Sequence, residues 1–215
     1  MMIAGHDLSP AERRKVTEAI TLAEKATTGE IVVVAARASD DYIHMPIYVA
    51  TAVAFALPLF APLIARFFPW STITVEALFI IQLVLFIVLS LLLSITRIRM
   101  AITPRRMMRL YAHRNAAAQF LAANISSTRG HTGVLIFVSL LEHYVEVIGD
   151  QAIASKLGPA DWQKIINEML PLLKAKQTAE ALALGVARCG VVLAKHFPAG
   201  KKNPNELPDR FIVIE

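Results

Sequence analysis

Gly133-Val134-Leu135-Ile136-Phe137-Val138-Ser139-Leu140, then Glu142-His143, then Tyr144-Val145-Glu146-Val147-Ile148-Gly149-Asp150 is the stretch on which the fold turns. The first run is apolar at almost every position, the pattern of a strand covered on both faces. The last run alternates in its early residues, and a turn as tight as Glu142-His143 forces the two strands antiparallel. Upstream, Glu30-Ile31-Val32-Val33-Val34-Ala35-Ala36 repeats the apolar, β-branched pattern and predicts a central strand over 30–36. A helix over 9–27 leads into it. Ser9 can cap, Pro10 suits the first turn, and Glu12 completes a capping box. Val16, Ile20 and Ala23 form its inward face, and Gly29 is expected to end it in a left-handed stop.

Downstream, Thr103-Pro104 opens a helix running to about Ala123. Arg105, Arg106, Arg109 and His113 share one side of it, and Met107, Met108, Tyr111, Ala118 and Leu121 another. Pro159 begins a helix with an apolar stripe of Trp162, Ile165, Ile166, Met169 and Leu173, which Pro171 is expected to kink or divide. A helix over 178–197 is apolar almost all round, with Glu180, Arg188 and Lys195 on a narrow polar strip. Its Gly185 and Gly190 would permit close packing on a sheet. A turn-rich segment, 198–209, and a short strand over 211–214 complete the chain. The order α-β-(membrane hairpin)-α-β-β-α-α-β predicts an α/β fold with a mixed sheet flanked by helices.

Two long apolar runs interrupt this pattern, 47–68 and 77–96, joined by the short stretch 69–76. The first holds a single charge, Arg66, and the second none. A helix crosses a bilayer with about 20 apolar residues, so the pair predicts a two-helix transmembrane hairpin. The alternative is two buried core helices of a soluble protein. The chain divides accordingly into a first part of the folded domain at 1–46, the hairpin at 47–96, and the remainder at 97–215. Residues 1–9 lack the basic-then-apolar order of a cleaved leader, so the hairpin is expected to direct insertion.

The net charge of +5 and pI near 9.5 do not point to nucleic acid. Arg97, Arg99, Arg105, Arg106, Arg109 and Arg114 supply six positive charges with no acid among 97–116, leaving the rest of the chain at −1. Stretch 69–76 has no Lys or Arg. The imbalance predicts a multi-pass protein of the cell membrane with both termini and the folded domain in the cytoplasm. Arg97, Arg99, Arg105, Arg106 and Arg109 are then the membrane-surface residues, with membrane lipids as partners.

No phosphate-binding glycine loop, nucleophile elbow or paired-cysteine zinc pattern is present. Cys189, the single cysteine, sits on an apolar helix and reads as a buried, inert thiol. The acids to weigh are Glu142, Asp150, Glu206, Asp209, Asp40 and Asp41. A divalent cation, calcium or magnesium, needs oxygen ligands from converging loops. Asp150 at a strand end, with Glu206 and Asp209 before the last strand, is the candidate metal set. Each alone reads as a turn or backbone cap. Glu142 and His143 are the candidate ligand-binding pair, against the simpler reading of a turn exposed to water.

The stretches 133–138, 142–143 and 145–150 resemble the TPM domain, whose members show a Gly-Val-Leu-Leu strand, an acid–base turn and a strand ending in Gly. The helix capped by Ser9 with the strand Ile31-Val32-Val33-Val34 looks like the family's opening unit. His196-Phe197-Pro198 and Asn205-Glu206-Leu207-Pro208-Asp209 look like the ending of a bacterial subgroup. The resemblance implies a three-layer α/β/α sandwich with a mixed sheet, here interrupted by the two-helix transmembrane hairpin. It also links the chain to acid phosphatase activity, divalent metal binding, and assembly or repair of membrane complexes. Glu142-His143 departs from the usual turn pair, and the hairpin lies inside the domain instead of after it. The expected function is a membrane-anchored, non-catalytic adaptor or assembly factor that contacts another membrane protein. The rival is a metal-assisted phosphatase acting on a phosphorylated protein or lipid.

Overall fold

A computed structural model describes residues 8–67, 74–200, 205–207 and 211–214. The described residues form two compact units, one of those up to Ser39 and from Arg109 onward, the other of Asp40–Met108.

The first unit is built on a four-stranded sheet in the order β3-β2-β1-β4, where β1 is Glu30–Ala36, β2 Gly133–Ser139, β3 Tyr144–Gly149 and β4 Phe211–Ile214. β1 and β2 run parallel in register from Glu30↔Gly133 to Ala36↔Ser139, and every residue of both is buried. β3 pairs antiparallel with β2, and β4 parallel with β1. The sheet is therefore mixed, with the two apolar runs at its centre and the alternating strand at an edge.

Helices cover both faces. On one side Ile31, Val33, Val134 and Ile136 pack with Val16 and Ile20 of α1 (Pro10–Glu24), Ile165 and Met169 of α7 (Pro159–Lys174), and Leu182 and Val186 of α8 (Thr178–His196). On the other, Val32, Val34, Leu135 and Phe137 meet Ala116 and Phe120 of α5 (Arg105–Ala122) together with Ile125. The period of two along each strand sends alternate residues to the two cores.

Several local expectations are corrected. The Ser9–Glu12 capping box forms, but α1 ends at Glu24, and no described glycine has positive φ. Gly29 serves space instead of a left-handed turn: a Cβ there would lie 3.1 Å from Leu193 Cδ1 and 3.3 Å from the Thr132 carbonyl. Pro171 does not divide α7, which continues past it to Lys174. Gly185 and Gly190 approach helices, not the sheet. Added Cβ atoms would lie 2.6 Å from Met169 Sδ on α7 and 2.7 Å from Ala23 Cβ on α1. The inward face of α5 carries Ala112 and Ala116, while Ala118 and Leu121 are exposed. Small alanines at i, i+4 spacing let this helix lie close on the sheet. A four-residue helix, α6 (Gln151–Ala154), follows β3 and was not foreseen.

The second unit holds α2 (His44–Phe67), α3 (Val75–Leu93) and α4 (Thr96–Ile102). The predicted second span stops short at Leu93, where Ser94 takes over as cap, its hydroxyl donating to the Ser90 carbonyl at 2.6 Å. α2 and α3 pack together around a hollow lined by Thr51, Phe55, Phe79, Gln82 and Phe86. Among the described residues one helix, Val75–Leu93, is long and apolar enough to cross a membrane, and none of its residues is buried. In α2 the apolar stretch covers His44–Phe60, shorter than such a crossing, so a hairpin of two spans is not established.

Candidate functional sites at the two ends of the sheet

Where β1 and β2 finish, the chain is laced by backbone bonds. Leu140 N–H donates to the Ala36 carbonyl (3.0 Å), Leu141 N–H to that of Arg37 (3.0 Å), and Arg37 N–H to that of Ile214 (2.8 Å). Glu142 folds back over this lacing. One carboxylate oxygen accepts Ser39 N–H at 2.8 Å and the other the Ser139 hydroxyl at 2.5 Å, while the hydroxyls of Ser39 and Ser139 lie 2.9 Å apart. Ser139 is fully buried and Glu142 nearly so. The Glu142-His143 turn is thus not simply exposed to water. The carboxylate turns inward because two donors await it, which offsets its desolvation.

His143 is exposed, in the left-handed region at φ 52°. Its side chain borders an apolar hollow of about 150 Å³ lined also by Val138, Leu140, Val145, Leu170 and Lys174. The candidate pair is therefore split between two environments, a buried clamp and an open rim.

At the opposite end, Asp150 follows β3. One oxygen caps α6 by accepting Gln151 N–H at 2.8 Å, and the other faces His131 Nδ1 at 3.1 Å. Glu206 accepts Arg129 N–H at 2.7 Å, two residues from His131. Glu30 in turn accepts the amides of Glu206 (3.2 Å) and Leu207 (3.4 Å), and Glu24 accepts Ile31 N–H at 2.7 Å. Asp150 and Glu206 thus bond to neighbouring residues of one loop, each gripping its own donor. Among the described residues no three His, Cys, Asp or Glu side chains converge as cation ligands. Asp209 lies outside the described residues.

A third cluster went unforeseen. His113 Nδ1 on α5 lies 2.9 and 3.1 Å from the two carboxylate oxygens of Glu146 on β3, and Tyr144 OH donates to Glu146 at 3.0 Å. Burial first, then the Glu146 charge, pushes the Tyr144 phenol above its ordinary range, with Arg109 pulling the other way. The signal was present in the alternation that puts residues 144 and 146 on one face of β3, and in the four-residue step from Arg109 to His113. Of the predicted membrane-surface residues, Arg97, Arg105, Arg106 and Arg109 are exposed, while Arg99 is half-buried with Nε lacking a partner. Cys189 is fully buried, and desolvation raises its thiol to about 12.

The comparisons agree with this architecture. The family model of the TPM domain matches residues 95–192, which span β2, the Glu142 clamp, β3 and most of α8. The chain therefore carries a TPM domain. Its fold is similar to the NMR structure of the BA42 protein from the psychrophilic bacterium Bizionia argentinensis, with a TM-score of 0.60 and 19% identity over 99% of each chain. At that identity the likeness concerns fold alone. No curated protein matches the chain.

Proposed function

We propose that this TPM-domain protein is a membrane-anchored, non-catalytic adaptor or assembly factor whose folded unit engages another membrane protein. The observation that carries this reading is the use made of its carboxylates. Glu24, Glu30, Glu142, Asp150 and Glu206 each accept a backbone N–H. A carboxylate spent on a backbone amide holds loops in place, whereas a general base or cation ligand turns its lone pairs toward the reacting group. The result is a scaffold with rigid ends.

The anchoring reading has α2 and α3 as a two-span hairpin, with the termini and the folded unit in the cytoplasm. It is supported by α3, whose large side chains are exposed along its length, including Val75 at 81% and Leu91 at 69%. Arginines cluster beyond α3 and are missing from 69–76, which favours the inward orientation.

The test is affinity purification of the full chain from detergent-solubilised membranes, alongside hydrolysis of p-nitrophenyl phosphate with magnesium or calcium. A partner membrane protein at stoichiometric recovery and no hydrolysis are expected. Hydrolysis that disappears in Asp150→Ala would overturn the reading in favour of a metal-assisted phosphatase.

A further inference from the structure

The arginines of the second unit do more than mark orientation. Residues 77–141 contain no Asp or Glu, so no acid near in sequence neutralises Arg97, Arg99, Arg105 or Arg106. Among the described residues none of the four takes part in an ion pair, although surface cations elsewhere in the chain do, as in Lys15–Glu180 and Arg188–Glu168. They begin four residues beyond the end of α3, whose last turn exposes Leu91 and Leu92. Arg97, Arg105 and Arg106 are exposed and Arg99 is half-buried.

The choice of cation adds a second, independent observation. Between Lys25 and Lys156 the chain has no lysine, so every fixed cation beside the apolar helix is a guanidinium. Topology alone is served by either residue. Phosphate is gripped better by Arg, because a planar guanidinium offers a fork of donors that matches two phosphate oxygens, whereas an ammonium binds as a point charge.

We propose that Arg97, Arg99, Arg105 and Arg106 form a binding site for the phosphate groups of acidic phospholipids. The site rests on the membrane anchoring proposed above. It lies where headgroups meet the end of an apolar helix, and its net charge selects anionic over zwitterionic lipid.

The experiment uses the full chain purified in neutral detergent and offered phosphatidylglycerol or phosphatidylcholine in mixed micelles, with retained lipid counted by native mass spectrometry. Preferential retention of phosphatidylglycerol is expected, weakened about 5-fold for each Arg→Gln change among the four. Replacing all four by Lys keeps charge and helix propensity, and should still weaken the preference several-fold. Arg188→Gln, in the other unit, should leave it unchanged.

Equal retention of the two lipids, or a four-lysine variant indistinguishable from wild type, would overturn the site. Displacement of bound lipid by millimolar inorganic phosphate would overturn the commitment to a lipid headgroup. Protein that stays in solution without detergent refutes the anchoring itself. Protein that requires detergent yet shows no lipid preference refutes only the site.

Discussion

Helices α3 and α8 are each 19 residues long and poor in charge, yet α8 buries nine residues and α3 none. Apolar content does not separate them. Small residues and paired charges do. α8 places Gly185 and Gly190 where it touches Met169 and Ala23, and ties Glu180 to Lys15 (2.9 Å) and Arg188 to Glu168 (2.6 Å). α3 has Glu76 in its first turn, no charge beyond it, no fully buried residue, and large side chains exposed at Phe79, Ile80, Leu83, Val84, Ile87 and Leu91. A helix meant for a protein core needs places for its neighbours to approach. One meant for lipid needs only length and surface.

The largest test of this contrast is paired truncation. Leu182→Ala, at a fully buried position of α8, should cost about 2–5 kcal/mol through lost transfer energy and a cavity. Val84→Ala, 53% exposed on α3, should cost less than about 0.5 kcal/mol. Denaturation of the full chain followed by circular dichroism in one detergent measures both, and equal losses would break the comparison. A charge separates the two helices differently. Val84→Asp should disfavour bilayer insertion by about 3 kcal/mol, read as protein lost from a carbonate-washed membrane fraction.

Gly190→Ala probes the close approach of α8 to α1. The added methyl meets Ala23 Cβ at 2.7 Å and Ala23 Cα at 3.2 Å, one of them backbone, so overpacking should cost about 1–3 kcal/mol in the same melts. Cys189 reports burial without mutation. With its thiol held near 12 by desolvation, it should resist a disulfide reagent at pH 8 in the folded protein and react promptly in denaturant.

The smallest effect concerns Glu180. The Lys15 hydrogen bond, followed by a backbone amide at the helix start, holds this carboxyl below its ordinary value of 4.5. Its folded value is depressed, so its contribution is present above the unfolded pKa and lost as pH falls through the folded one. The urea midpoint of wild type should therefore fall more than that of Lys15→Gln on going from pH 6 to pH 3. Both side chains are exposed, so solvent screening keeps the difference small.

Much of the fold was legible because it follows from local rules. Two seven-residue runs rich in Val and Ile became the two fully buried strands, and Ser9 with Glu12 made the capping box. Cys189 is buried as its helix implied. The errors share one cause. Gly29, Gly185 and Gly190 were read as backbone devices or sheet contacts, but each answers to a neighbour distant in sequence. On α5 the side read as apolar holds the buried Met108 but also the exposed Leu121, whereas the sheet accepts Ala112 and Ala116. The candidate site was half legible. Glu142, Asp150 and Glu206 were singled out as acids worth weighing, but nothing in their spacing announced the amides that engage them.

Strand identity, the Ser9 cap, the apolar run that became α3 and the arginine excess beside it are determined by the sequence alone. They depend on backbone preference and desolvation within a few residues. The order β3-β2-β1-β4, and the fate of each carboxylate, were decided by tertiary structure. Glu142 meets Ser39 across 103 positions and Glu30 meets Glu206 across 176, and such bonds exist only once the sheet has brought its strand ends together.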